Sequence, residues 1–228
     1  RGGRIVTVNT EALDTQMPEE VDSGHDAVRG GMDPALLGMM LFIASEVMFF
    51  AALFAAYFNV AATLPVFPPL NTEGERTLDA FHFPFLPIIM TIVLLTSSIT
   101  MQWATGRIRN GDRTGLNRAV AVTLILGIFF MFLWAYEYYL LITGEDFGIN
   151  KSAYSTTFYA LTGFHGAHVF GGIIGLAVIL SRGIAGQFTK RHHVAVEAVH
   201  YYWHFVDIVW VTLVFVIYIL PLLGGDAA

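Results

Sequence analysis

Five long apolar runs separated by polar stretches organise this chain: about Pro34 to Ala62, Pro87 to Thr105, Arg118 to Thr143, Tyr154 to Ser181 and Glu197 to Leu223. Each is close to or longer than the roughly 20 residues that cross a bilayer as a helix. The pattern predicts an all-α membrane protein, a bundle of five transmembrane helices spanning 33–223. Asp33-Pro34 opens the first run as N-cap and first helical residue. Arg1–Met32 reads instead as a polar, acidic arm, without the apolar core of a signal peptide. A Pro-rich loop follows the first run, with an acidic segment from Glu73 to Asp79.

The last run departs most from a lipid-facing pattern. At 100° per residue, Glu197, His200, His204 and Asp207 fall within a sector of roughly 80°, a polar ladder beside an apolar continuation. Such a ladder costs several kcal/mol in hydrocarbon unless it faces protein. The candidates to face it are the glycine-rich fourth run, with His165 and His168, and Glu46 on the first. Gly163, Gly166, Gly171, Gly172 and Gly175 suit a closely packed fourth helix.

Composition supports the membrane reading. Of 228 residues, 55% are hydrophobic and 13% charged, about half the charged fraction of a soluble domain. Lys and Arg concentrate on one side of the bundle: three in the arm, four between the second and third runs and three between the fourth and fifth. The other side carries Arg76 and Lys151, which places the N-terminus in the cytoplasm and the C-terminus outside. The chain has no cysteine, which excludes disulfides, thiolate-held zinc, iron–sulfur clusters and c-type haem attachment. No basic patch suggests nucleic acid.

Each polar group inside a run has a functional and a structural reading. Glu46, at a helix centre, costs about 2.5–3.5 kcal/mol on insertion scales. It is either a proton-relay or lipid-headgroup site, or a hydrogen-bonded lock between two helices. His165 and His168 could ligate metal or haem with His200 or His204, or could bond between helices. The third run ends in Trp134, Tyr136, Glu137, Tyr138 and Tyr139, an expected interface belt that makes Glu137 cheap through partial hydration. Trp203 and Trp210 are further interface candidates. His192 and His193 read as loop residues.

Three motifs together resemble subunit III of the haem-copper oxidases, most closely the bacterial cytochrome c oxidase form. They are Leu41-Phe-Ile-Ala-Ser-Glu-Val-Met-Phe-Phe50, Ala160-Leu-Thr-Gly-Phe-His-Gly-Ala-His-Val169 and Tyr202-Trp-His-Phe-Val-Asp-Ile-Val-Trp210. Glu137-Tyr-Tyr139 and His192-His193 followed by Glu197 support them. The resemblance implies an accessory subunit of a proton-pumping terminal oxidase in the bacterial plasma membrane, with no cofactor and no catalytic residue of its own. Haem and copper would sit in partner subunits I and II, inside a possible respiratory supercomplex. It also implies bound phospholipid and help with proton uptake. The resemblance makes Glu46 the carbodiimide-reactive carboxylate of the family. His165, His168, Glu197, His200, His204 and Asp207 become a shared buried polar network. Seven-helix members carry two further helices ahead of the five seen here, so the lipid cleft between those two and the rest has no counterpart in these runs.

Other readings follow from the same residues. One is the equivalent subunit of a quinol oxidase or a nitric-oxide-reductase-associated protein. A second is a haem-binding membrane cytochrome around His168 and His200. A third is a proton-coupled transporter built on Glu46, which the absence of an internal repeat disfavours.

Overall fold

The computed structural model describes residues 33–64, 85–143, 148–149 and 151–223. The expected arm, the Pro-rich loop and the extreme C-terminus lie outside the described residues. Five helices are long and apolar enough to cross a membrane, and no strand occurs among the described residues. They are α1 (Pro34–Thr63), α2 (Phe85–Arg109), α3 (Arg113–Thr143), α4 (Ala153–Ile184) and α5, which runs Val194–Val214 and continues through a π-helical turn, Phe215–Ile219, into a last turn at Leu220–Leu223.

Local chemistry sets the ends. The Asp33 carboxylate accepts from Ala35 N at 2.9 Å beside Pro34 at the first helical position. Ser152 and Ser155 bond reciprocally at the start of α4. Between α2 and α3 the chain turns in three residues, with Gly111 at φ 83° and Asp112 Oδ1 accepting from Gly115 N at 2.8 Å. The arginine-rich segment is therefore mostly helical: Arg107 and Arg109 finish α2, and Arg113 starts α3. Helices outrun the apolar pattern here because a helix satisfies its own backbone and needs no hydrocarbon to continue into the polar boundary.

The π turn has a cause in sequence. Pro221 lacks the N–H that Ile217 O would otherwise receive, and the Leu220 N–H reaches back to Phe215 O.

Packing is organised around α5, which touches α1, α2 and α4, while α3 packs on α2 and α4. Trp203 is fully buried at the centre. A Cβ on Gly127 or Gly172 would come within 2.8 Å of its ring, so both glycines hollow the slot that holds the indole. Gly166 does the same for Trp134. The fourth helix thus uses Gly166 and Gly172 to admit tryptophans. By contrast α1 buries only Phe50 and Tyr57 and leaves Leu41, Val47 and Met48 outward. Exposed Ile, Leu and Phe on every helix match a lipid or protein surround.

Candidate functional site

Two polar seams run between helices, and they divide the residues expected to form one network. The first joins α1 to α4. Glu46 Oε2 lies 2.9 Å from His168 Nε2, with Phe49, Phe50 and Phe205 rings around the imidazole. His168 Nδ1 is 2.7 Å from the Phe164 carbonyl, which can only accept, so Nδ1 carries a hydrogen. One further proton is then shared between Glu46 and His168 Nε2. It sits on the acid with a neutral imidazole, or on the imidazolium with a carboxylate. Either way the pair is neutral overall, which lowers its cost in the membrane. Tyr202 on α5 donates to the His168 carbonyl at 3.0 Å, tying α5 to the seam as well.

The second seam joins α5 to α2. The ladder was expected to face α4 or α1; it faces α2 instead. His200 Nε2 lies 2.6 Å from Gln102 Oε1 and 2.9 Å from His204 Nε2, and His204 Nδ1 lies 2.6 Å from Ser98 Oγ. Gln102 Oε1 accepts, so His200 Nε2 is the donor and His204 Nε2 accepts. The His204 hydrogen is then on Nδ1 and is donated to Ser98. The hydrogen bonds run in one direction, from His200 towards Ser98. Asp207 is buried beyond that point, its Oδ2 3.9 Å from His204 Nδ1. At the other end Arg109 donates twice to Glu197 Oε1, at 2.9 and 3.2 Å, and His193 Nε2 stands 3.4 Å from the same oxygen. The turn to α2 has a packing reason: the bulky Trp203 fills the gap on the glycine side, leaving the ladder edge of α5 against the hydroxyl-bearing α2.

Several partners were missed in the sequence. Trp203 Nε1 donates to Ser97 Oγ at 2.9 Å and Trp210 Nε1 to Thr91 Oγ1 at 3.1 Å. Those hydroxyls donate in turn to their own helix carbonyls, Leu94 O and Pro87 O. The hydroxyls of the second run, Thr91, Thr96, Ser97, Ser98 and Thr100 among them, were the available signal, being costly in lipid and cheap against indole N–H groups. Trp203 and Trp210 accordingly sit in the core, as does Phe130, whose ring meets Trp210 edge-on.

The remaining expected residues stand apart. His165 is fully buried, its ring stacked 5.2 Å from Trp210, and neither ring nitrogen has a hydrogen-bond partner among the described residues. Glu137 is buried, where a hydrated position at a membrane face was expected. The π turn brings Tyr218 over it, and the phenol donates to Oε1 at 3.0 Å. Trp134 packs on Gly166, and Tyr138 beside it donates to Thr162 Oγ1 at 2.7 Å. No group of three or more His, Asp or Glu side chains among the described residues is arranged to hold a metal ion.

This architecture defines a multi-pass helical membrane protein whose intramembrane ionisable groups act at helix-to-helix contacts. Residues 15–221 match the family described as Cytochrome c oxidase subunit III. The chain is 42% identical over 183 residues to "Cytochrome c oxidase subunit 3" of Branchiostoma lanceolatum, covering 79% of this chain and 67% of that protein. It is equally similar over 185 residues to the proteins of that name from Oncorhynchus mykiss and Gadus morhua, with the same coverage. The chain belongs to the cytochrome c oxidase subunit III family, and so is an accessory subunit of a terminal oxidase.

Proposed function

We propose that this chain is the cofactor-free subunit that steadies the haem- and copper-bearing subunits I and II of a proton-pumping oxidase passing electrons from cytochrome c to oxygen. It binds phospholipid and supports proton uptake, and it lies in the bacterial plasma membrane with its N-terminus in the cytoplasm. The biased Lys and Arg distribution favours that orientation. The observation that carries the proton role is the Glu46–His168 pair. Its Glu46 Oε2 and His168 Nε2 stand 2.9 Å apart, and the side chains keep 20% and 15% of their surface exposed, which supports access for a proton.

The test is turnover of the complete oxidase with Glu46→Gln against pH. Glutamine retains a hydrogen bond to the imidazole but carries no exchangeable acid proton. The variant should assemble normally and turn over more slowly than the parent at high pH. Equal turnover across the range would remove the proton role and leave the lock. Omitting the subunit altogether should allow initial oxygen reduction while shortening active lifetime. Immediate loss of activity with all metals in place would contradict an accessory role.

A further inference from the structure

The α2–α5 seam leaves its unsatisfied atoms at its two ends. His200 Nδ1 and both Asp207 oxygens are buried without a hydrogen-bond partner among the described residues, while every ring nitrogen between them is paired. Between the ends the hydrogens are ordered. His200 donates from Nε2 to His204 Nε2 over 2.9 Å, and His204 donates from Nδ1 to Ser98 Oγ over 2.6 Å. Both distances are short enough for direct proton transfer.

Ser98 is the exception among the hydroxyls of α2. Thr91, Thr96, Ser97, Thr100 and Thr105 each donate to a carbonyl of their own helix. Ser98 makes no such bond among the described residues, and its Oγ already accepts from His204. Its own hydrogen is therefore free to turn to the Asp207 carboxylate beside it. The Asp207 oxygens are closed to the surroundings of the bundle, so Ser98 is the neighbour that can hand them a proton.

We propose that His200, His204 and Ser98 form a proton-transfer chain that fills and empties a buried store, the Asp207 carboxyl, from the end of the bundle where Arg109, His193 and Glu197 stand. An arriving proton bonds to His200 Nδ1, and the His200 Nε2–H bond breaks as that hydrogen passes to His204 Nε2. The His204 Nδ1 hydrogen passes to Ser98 Oγ, and the original Ser98 hydrogen passes to Asp207. Each relay member gives up one hydrogen as it gains one. The only net change is the proton added to the carboxylate, and the reverse sequence empties it.

Glu197 supplies the entry. It lies one turn before His200 and keeps 19% of its side chain exposed, and its charge and that of Arg109 both act on the imidazole. Two pulls act on the store. Gln102 Oε1 accepts from His200 Nε2 at 2.6 Å and favours the hydrogen's return there, which empties it. Asp207 lies about 20 Å along α5 from Val194, where a carboxylate is costly, which fills it. Other titratable groups around α5 stand off the chain. His165 lies against Trp210 and His168 against Phe205, Glu46 pairs with His168, and the Tyr201 ring meets His200 edge-on. The chain shares no residue with the Glu46–His168 pair, so the Glu46→Gln result leaves it untouched.

Infrared difference spectroscopy of the complete oxidase tests it. The carbonyl stretch of protonated Asp207, assigned as the band missing in Asp207→Asn, is followed while H2O is exchanged for D2O at acid pH. Ser98→Ala cuts the relay before its last member and should slow exchange at Asp207 by at least about a hundredfold, the lower end of what a positioned proton-transfer group contributes. Gln102→Leu removes a hydrogen bond of the seam but no relay member, and should leave the rate near the parent's. A seam that only holds helices predicts the opposite sign, because losing either bond loosens the packing and leaves exchange unchanged or faster. Unchanged or faster exchange in Ser98→Ala overturns the proposal. Equal slowing in both variants also overturns it, as does the lack of an Asp207 band in the parent at every pH. If Ser98→Ala fails to assemble, His204→Leu cuts the relay one link earlier and is read in the same way.

Discussion

The two polar seams use the same residue types to opposite ends. At Glu46–His168 an acid meets a base, the imidazole's other nitrogen is held by a carbonyl, and the pair is complete within two helices. Along α2–α5 two histidines, an amide and a hydroxyl pass hydrogen bonds in sequence and reach an aspartate that this chain does not satisfy. The first seam is closed but lies on α1, the least buried helix; the second is open but lies on α5, the most buried. Burial of a helix therefore says little about whether its polar groups are finished. What differs is how far the hydrogen bonds extend along each seam.

The largest effect should come from the wall beside the open seam. Trp203 fills the slot between Gly127 and Gly172 and donates to Ser97. Trp203→Ala should cost about 3–5 kcal/mol, the usual range for truncating a large buried aromatic. Unfolding in mixed micelles would measure it. If the seams are independent, the coupling between Glu46 and His168 in the same variant stays close to that of the parent. A parallel loss of that coupling would merge the two seams into one unit.

Next in size is the closed pair itself. His168→Leu leaves an acid with no partner and should destabilise the bundle by about 2 kcal/mol, below the 3–5 typical of fully buried pairs because both side chains keep some exposure. Adding Glu46→Leu should recover much of that loss, since replacing both partners is milder than removing one. A double-mutant cycle with no coupling would mean the 2.9 Å contact contributes nothing.

How much of this could be read from sequence differs between the two seams. Five helices, their order and the polar edge of α5 follow from residue periodicity and the length of the apolar runs, because hydrocarbon thickness enforces both. Glu46 stood out for the same reason: an acid at a helix centre has few tolerable surroundings. Partner choice did not follow. His168 and His165 are three residues apart and looked equivalent, yet one meets Glu46 while the other stacks on Trp210. They lie only about 60° apart around α4, so helix rotation against neighbours decides which of them faces α1. The ladder was expected to face the glycine-rich α4 or Glu46 on α1. Gly172 and Gly166 admit Trp203 and Trp134, and the ladder turns to the hydroxyls of α2. Glu137 was misplaced because the π turn that delivers Tyr218 depends on one proline, Pro221, in a run otherwise read as uniform helix.

Within the open seam the single hydrogen bonds should matter less. Gln102→Leu removes the acceptor of His200 Nε2 at 2.6 Å. His204 still accepts from that nitrogen, so the loss should be about 0.6 kcal/mol and at most roughly 1.7, the measured span for interhelical hydrogen bonds. A loss well above that span, again in mixed micelles, would show that the links act together rather than singly, and would set this seam further from the self-contained Glu46 pair.

The smallest effect belongs to the outer end of the same seam. Arg109 places both Nε and a terminal nitrogen on one oxygen of Glu197, so the contact is forked at a single acceptor instead of bidentate. The Arg109 side chain is 55% exposed. Exposed pairs of this kind contribute about 0.2–1 kcal/mol, and His193, 3.4 Å from the same oxygen, remains to take over when Arg109 is gone. Arg109→Ala should therefore fall at the low end of that range and shrink further as salt rises. The Glu46–His168 pair, more enclosed, should respond to salt far less. If Arg109→Ala instead costs more than about 1 kcal/mol at high salt, the outer bridge is coupled to His200 and His204 below it, and the ladder behaves as one continuous element from the membrane boundary to Asp207.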